Sequence, residues 1–287
     1  MIKSIAHLGP IGTYSELATL IYAEKLTNTT GVETKLIPYP NIAQTLQSVA
    51  KGETDVAVVP VENSIHGIVA ITLDTLWELD GLQIQLGLTL PVIHNFLTRG
   101  NTLEGIKTVY SHPQALAQCQ KWLDSHLPQA HLIATESTTE ALHHLNQEPT
   151  AGAIASERAA QLYNVPIKVA NINDYPDNCT RFWVISREKN HHGNHISLGF
   201  SFPQNQPGVL VKPLKIFAEQ EINLTRIESR PTKRLLGEYL FFLDLEGDTT
   251  QKDIKIALDQ LSSLTKTLKV FGNYDVLKID NCSKGQS

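Results

Sequence analysis

The sequence predicts an α/β protein: a parallel sheet with helices on its faces, followed by a smaller ferredoxin-like β-α-β-β-α-β unit. Three observations carry this. From Met1 to about Arg187, apolar runs of strand length alternate with helix-forming stretches, and such alternation lays strands in parallel with helices over their faces. A polar segment, REKNHHGNH at 187–195, then breaks the rhythm. Behind it, between His195 and Tyr274, the order becomes strand, helix, strand, strand, helix, strand.

The elements follow in order. Ile5–Leu8 is a short apolar strand, and in the GPIGTYSE stretch after it Thr13 and Glu16 have the spacing of a capping box. Asn41 and Gln44 open a second helix in a similar way. Asp55–Pro60, DVAVVP, is a continuous apolar run of strand length that ends in VENSIHG. Leu82–Leu90 is another strand. TVYSHPQA carries a strand to about Tyr110 and starts a helix near Pro113, since proline suits a first turn. Ile133–Thr135 is a strand, Ser137 with Glu140 caps a helix, and GAIAS is a strand followed by a helix to Tyr163. Phe182–Ile185 reads as a buried strand, and the polar stretch Asn178-Cys179-Thr180-Arg181 runs straight into it.

After the linker, HISLGFSF is a strand and PGVLVKPLKIFAEQ a helix opened by Pro207. INLTRIES and EYLFFLDLEG are strands, Asp253–Leu261 a helix, and KTLKVFGNY the last strand. This unit reads as separate, because its elements cannot extend the first sheet without a long crossing connection. The expected divisions are 1–187, a linker at 188–195, the small unit at 196–280 and a frayed tail at 281–287. No internal repeat is visible.

Composition excludes several classes. The 287 residues leave room for two domains, and 41% hydrophobic against 18% charged residues means a packed core. Lys plus Arg number 24 against 29 Asp plus Glu, without the concentrated positive charge that nucleic acid demands. Cys119, Cys179 and Cys282 are odd in number, far apart and without a Cys-x-x-Cys pair, so neither a disulfide framework nor a cysteine zinc site is expected. His191, His192 and His195 lack accompanying carboxylate or thiolate ligands and read as solvated linker, not metal site. No apolar run has signal-peptide or membrane-span length. A soluble cytoplasmic protein is expected.

In open α/β sheets, ligands gather outside the carboxyl ends of strands. Here those ends read GPIGTYS, PVENS, YSHPQ, TEST and IASE, rich in hydroxyls, amides and helix starts. Helix starts offer free backbone N–H groups to anions. Several converging on one cleft suit a small substrate with carboxylates.

Six stretches, in this order across both units, carry a resemblance: GPIGTYSELA, DVAVVPVENSIHG, YSHPQALAQCQKWL, the AIASERAAQLY block, NCTRF, and INLTRIESRP with YLFFLDLEG. The chain resembles prephenate dehydratases that carry a carboxy-terminal ACT regulatory domain. The resemblance implies a two-lobed catalytic region like a type II periplasmic binding protein, with the substrate between the lobes. It implies prephenate converted to phenylpyruvate, carbon dioxide and water without cofactor or metal, feedback inhibition by L-phenylalanine, and a homodimer or homotetramer joined through ACT domains. Arogenate, the amino-acid analogue, is the alternative substrate, and a non-catalytic amino-acid sensor is the rival from another class. The chain departs from the family at Tyr14 (commonly phenylalanine), Val61 (often isoleucine) and Val209 (usually alanine).

Thr180 matches the essential threonine of the Thr-Arg-Phe motif and is expected to donate a hydrogen bond to the departing hydroxyl; without the resemblance it reads as a strand-start threonine. Asn63, Ser111, Gln118 and Glu62 are implied beside it as catalytic, Glu62 more as a support, since a carboxylate repels an anionic substrate. Thr13, Ser64, Gln114, Asn178 and Arg181 are substrate-binding candidates. Arg181 either grips a carboxylate or braces the wall, because successive residues of a strand point to opposite faces. His112 caps its loop or shuttles protons, and Cys119 and Cys179 read as small buried residues. In the small unit, Gly208, Val209 and Leu210 are read as a helix start for an effector carboxylate. Asn223 and Leu224 begin the next strand. Glu228, Ser229 and Arg230 belong to the motif that the family links to phenylalanine control.

Overall fold

The computed structural model describes residues 2–146 and 148–279; the expected tail lies outside the described residues. The chain order is β1 Ile2–Leu8, α1 Tyr14–Thr30, β2 Glu33–Tyr39, α2 Ile42–Ala50, β3 Val56–Asn63, β4 Gly67–Ile68, α3 Ala70–Glu78 and β5 Gln83–Pro91. The chain then crosses to β6 Asn95–Thr98, β7 Thr108–Ser111, α4 Pro113–Ala117, α5 Gln120–His126, β8 His131–Ala134, α6 Ala141–His144, β9 Ala151–Ala155, α7 Glu157–Leu162 and β10 Ile167–Val169. It returns in β11 Cys179–Ser186 and continues as β12 His195–Ser201, α8 Val211–Glu219, β13 Leu224–Pro231, β14 Tyr239–Glu246, α9 Lys252–Leu264 and β15 Thr267–Lys278.

Two lobes share one plan. The first has strand order β2-β1-β3-β11-β5 and the second β8-β7-β9-β6-β10. β1 in the first lobe and β7 in the second each sit between two parallel neighbours, and beyond β3 and β9 lies an antiparallel strand, β11 or β6, that has just crossed from the other lobe. The same order recurs in both lobes, and two crossovers join them. The sequence shows no repeat because only the topology recurs. β2 escaped the sequence reading: ETKLIPY mixes charge with Pro38, which a sheet tolerates at an edge, and β2 is the edge.

The small unit has order β13-β14-β12-β15, wholly antiparallel, as its β-α-β-β-α-β sequence requires. Its outer face packs Leu198, Phe200, Leu243 and Leu245 under α8 and α9. The unit is not separate, and the expectation that its strands cannot extend the first sheet is corrected. β15 pairs antiparallel with β12 as far as Tyr274, and Asp275–Lys278 then run parallel beside Leu86–Thr89 of β5. One ten-stranded sheet results. A single long strand suffices because Gly272 lets it pass close to β5: a Cβ there would lie 2.6 Å from the Ile84 carbonyl oxygen. Behind the join, Leu240, Phe242, Phe271 and Tyr274 share a core with Ala57, Val59, Leu73, Leu76 and Trp183 of the first lobe.

The helix expected from Pro207 starts only at Val211. Gly208 takes φ +77° and residues 207–210 form a turn, so Gly208 and Val209 precede the helix and only Leu210, its N-cap, stands at the helix start. Among the described residues, no helix is long and apolar enough to cross a membrane.

Candidate active site

The lobes enclose a cleft of about 1050 Å³ at the carboxyl ends of β1, β3 and β7. Its floor is the pair of crossovers, stitched side by side. Asn173 accepts from the His94 N–H (2.6 Å) and donates to the Val92 carbonyl (2.8 Å), while the Val92 N–H donates to the Asn178 carbonyl (2.8 Å). The Tyr14 hydroxyl accepts from the Ile93 N–H at 2.8 Å and donates to the Ile93 carbonyl, pinning the start of α1 to the first crossover. Burial raises this phenol well above its ordinary pKa, so it remains a neutral donor.

A chain of side-chain amides crosses the cleft wall, and backbone groups fix its sense. Asn63 Oδ1 accepts from the Ile65 and His66 N–H groups (3.1 and 3.0 Å), so its Nδ2 must face the other way. There it meets the Cys179 carbonyl (3.2 Å), Asn178 Oδ1 (2.8 Å) and Thr180 Oγ1 (3.0 Å). Asn178 then turns its Nδ2 to Gln118 Oε1 (2.8 Å), which also accepts from His94 Nε2 (2.8 Å). Gln118 is left to donate through Nε2 to His66 Nδ1 (2.9 Å). Thr180 therefore receives a hydrogen bond from Asn63, and its own proton is free to be donated into the cleft it lines. Burial holds His94 below the ordinary histidine pKa, although its bond to Gln118 opposes this; the ring stays neutral, with Nδ1 buried and unpartnered.

The sequence-derived candidates divide by strand face. Thr180 pairs with Asn63 and Arg181 with Glu62 across β11 and β3. Thr180, Asn63, Gln118, Gln114 and Thr13 line the cleft, and Thr13 caps α1 by accepting from the Glu16 N–H (3.4 Å). Ser64 and Asn178 stand just behind, with Ser64 Oγ accepting from the Cys179 N–H (3.0 Å) and reaching Asn178 Oδ1 at 3.3 Å. Ser111 corrects the expectation of a site hydroxyl: fully buried, it donates to the Ile154 carbonyl at 2.6 Å and does not border the cleft. The cap falls instead to His112, whose Nδ1 accepts from the Gln114 N–H (3.2 Å). Glu62 and Arg181 are also away from the cleft and form an ion pair at 3.6 Å on the opposite face. Arg181 braces the wall. Cys119 is free and buried, its thiol pushed up to about 12, first by burial. Cys179 is not the buried residue expected: it is half-buried at the start of β11. Two cleft residues, His66 and His94, were not singled out. Only the apolar neighbours of His94, and the place of His66 just past the Glu-Asn-Ser triplet, could have flagged them.

Behind β11, the small unit contributes buried ions. Asp244 of β14 takes Arg226 of β13 with two bonds (2.8 and 2.9 Å), Ser197 at 2.6 Å and Arg181 at 3.4 Å. The Arg226 guanidinium lies 5.2 Å from the centre of the Trp183 ring. A second clamp joins Asp74 of α3 to Arg230 (3.1 and 3.2 Å) and Lys233 (2.7 Å). Arg230, expected at the effector site, is thus engaged with the first lobe. Asn223 spends its amide on Glu246 (2.9 Å), while Leu224 and Glu228 are half-buried and Ser229 exposed along β13.

The prephenate dehydratase family profile matches residues 5–190 and the ACT domain profile residues 197–262. The chain is 38% identical over 272 residues to the bifunctional chorismate mutase/prephenate dehydratase of Aquifex aeolicus, covering 94% of this chain and 73% of that one. It is 37% identical over 282 residues to the prephenate dehydratase of Methanocaldococcus jannaschii, covering 96% and 99%. The crystal structure of prephenate dehydratase from Arthrobacter aurescens in complex with L-Phe superposes with a TM-score of 0.84 at 31% identity, covering 96% of this chain and 90% of that one. With matches of this extent behind a two-lobed cleft that ends at the Thr-Arg-Phe motif, the chain belongs to the prephenate dehydratase family and carries an ACT domain.

Proposed function

We propose that this enzyme converts prephenate to phenylpyruvate, carbon dioxide and water by holding the dianion between its lobes and steadying the departing hydroxide with Thr180. One observation carries the reading: Asn63 donates to Thr180 Oγ1 at 3.0 Å, which leaves the threonine proton for the substrate. A neutral alcohol is a poor acid, but a fixed donor aimed at developing negative charge lowers the barrier by a few kcal/mol. Asn63, Asn178 and Gln118 hold that donor in place, with Ser64 behind them; Thr13 and Gln114 contact the substrate; Ser111, Glu62 and Arg181 act from behind the wall. Loss of the second carboxylate sends electrons into the ring, and aromatisation drives the reaction. Among the described residues, no lysine or arginine lines the cleft, whose charged side chains are Glu136 and Glu140. This suits a decarboxylation, because a cation beside the departing carboxylate would stabilise the ground state and not the transition state, where its charge is dispersing.

Control by L-phenylalanine through the ACT domain belongs to the same reading. Among the described residues of one protomer, no single cavity gathers the candidate effector residues: Gly208 and Val209 border one pocket, while Arg230 is held by Asp74. β13 is an open sheet edge with Ile227 48% exposed, and Leu236 and Tyr239 lie exposed nearby. Pairing two ACT domains at this edge would cover these side chains and bring Leu224, Glu228 and Ser229 to a shared site, so we propose a symmetric dimer or a tetramer built on it. A biosynthetic enzyme of this kind acts in the cytoplasm, and we propose that location.

The test follows phenylpyruvate formation by wild type, Thr180→Ser and Thr180→Ala, with and without phenylalanine. Thr180→Ala is expected to lose about 10²–10³-fold in kcat, Thr180→Ser to keep most of it, and phenylalanine to inhibit wild type. An alanine variant retaining more than about a tenth of the rate removes Thr180 from this role. Preference for arogenate would move the substrate assignment, and phenylalanine binding without turnover of either compound would leave a sensor.

A further inference from the structure

Among the described residues, the cleft has no permanent cation with which to hold an anion. Its lining includes the histidines His66, His94, His112 and His143. Two are committed to the protein: His112 Nδ1 caps α4, and His94 Nε2 donates to Gln118. His143 packs edge-on against Tyr163, with ring centroids 5.4 Å apart.

His66 is placed differently. It follows the Glu-Asn-Ser triplet, is exposed to the cleft, and its Nδ1 lies 2.9 Å from Gln118 Nε2. The sense of that bond is set from the backbone. The Ile65 and His66 N–H groups orient Asn63, Asn63 orients Asn178, and Asn178 orients Gln118, which leaves Gln118 only its N–H to offer. His66 Nδ1 is thus the acceptor, and its 3.4 Å approach to Asn63 Oδ1 makes no bond, since both atoms accept. A neutral imidazole that accepts at Nδ1 carries its proton at Nε2. His66 therefore presents an oriented N–H donor, and its backbone is two hydrogen bonds from Thr180 by way of Asn63.

We propose that His66 is a substrate-binding residue whose Nε2–H donates to the carboxylate that prephenate keeps through the reaction, an inference that rests on the functional reading above. The choice between the two carboxylates follows from charge. A donor on the departing carboxylate would oppose decarboxylation, whereas the retained one is anionic from substrate to product and can be bound uniformly. Uniform binding sets KM and leaves kcat alone.

The experiment compares wild type, His66→Ala and His66→Gln, with circular dichroism to confirm folding. The glutamine amide nitrogen can stand near the position of Nε2 and restore a donor. His66→Ala is expected to raise KM for prephenate about 10-fold or more, as for a lost hydrogen bond to a charged group, with kcat within about 3-fold of wild type. His66→Gln is expected to recover KM to within about 3-fold of wild type. Phenylpyruvate, which keeps the same carboxylate, should weaken as a product inhibitor of His66→Ala by a similar factor. An unchanged KM, a loss confined to kcat, or undiminished product inhibition overturns the proposal. Failure of the functional reading looks different: wild type itself would leave prephenate unchanged.

Discussion

The cleft and the junction behind it are both polar and largely buried, yet they are built from opposite materials. In the cleft wall, neutral amides pass hydrogen bonds from His94 to Thr180, and among the described residues no lysine or arginine lines the space. At the junction, Asp244 holds Arg226 and Arg181, and Asp74 holds Arg230 and Lys233. The division falls between neighbours on one strand: Thr180 turns to the amides and Arg181 to the ions, as strand alternation requires. The difference teaches where each kind of interaction is useful. A full charge near the reacting carboxylate would favour the state that must be left, while oriented neutral dipoles can favour charge that is still developing. Buried ions serve where nothing reacts and a fixed geometry between two units is needed.

The largest expected effect is at the junction. Asp244→Ala strips the partner from Arg226, which is 9% exposed, and leaves a buried cation without its carboxylate. Breaking such a pair from one side costs about 3–5 kcal/mol. The unfolding midpoint of the full chain in urea should fall accordingly. A loss below about 1 kcal/mol would mean that apolar packing of Phe242 and Tyr274 on Trp183 holds the units together and the ions are incidental.

The cleft should respond in rate and not in stability. Asn63→Ala frees the Thr180 hydroxyl to rotate, and kcat on prephenate should drop about 10²-fold, near 2.7 kcal/mol of barrier. Asn63→Asp should be worse still. Its carboxylate would accept the threonine proton and turn the donor away from the substrate. Measured kcat in the order wild type, alanine, aspartate supports the neutral-dipole account; an aspartate variant more active than alanine would sink it.

Much of this contrast was legible in the sequence, and the misses share a cause. The strand–helix alternation, the caps at Thr13 and Asn41, and the order of the small unit follow from local pattern, which a single chain displays. The union of the two units does not, because it depends on the last four residues of β15 finding β5, a pairing between positions far apart in the chain. Thr180 was readable through its motif, and the outward turn of Arg181 through alternation. Ser111 lies behind the cleft because a hydroxyl at a strand end serves a neighbouring carbonyl as readily as a ligand. His66 and His94 carried only weak local signals, since both take their roles from Gln118, which lies far from each in the chain. Arg230 sits in a recognisable motif, but only the fold brings Asp74 to it.

The smallest effect separates the two ionic clamps from each other. Asp74 is 7% exposed, and burial alone would raise its carboxyl pKa. Its bonds to Arg230 and Lys233 outweigh burial and hold it below the ordinary value of 3.8. A carboxyl depressed by folding contributes stability that is fully present above its unfolded pKa and is lost as pH falls through the folded one. The clamp should therefore be intact at pH 7, begin to weaken near pH 4, and be gone once Asp74 is protonated below that. Lys233 is half open to solvent, so the contribution is modest, about 1 kcal/mol. Asp74→Asn isolates it: wild type and variant should differ by that amount at pH 7 and converge toward pH 3. A difference that persists unchanged at pH 3 would assign the effect to the shape of the side chain and not to its charge, leaving Asp244 as the one clamp between the units that works by ionic attraction.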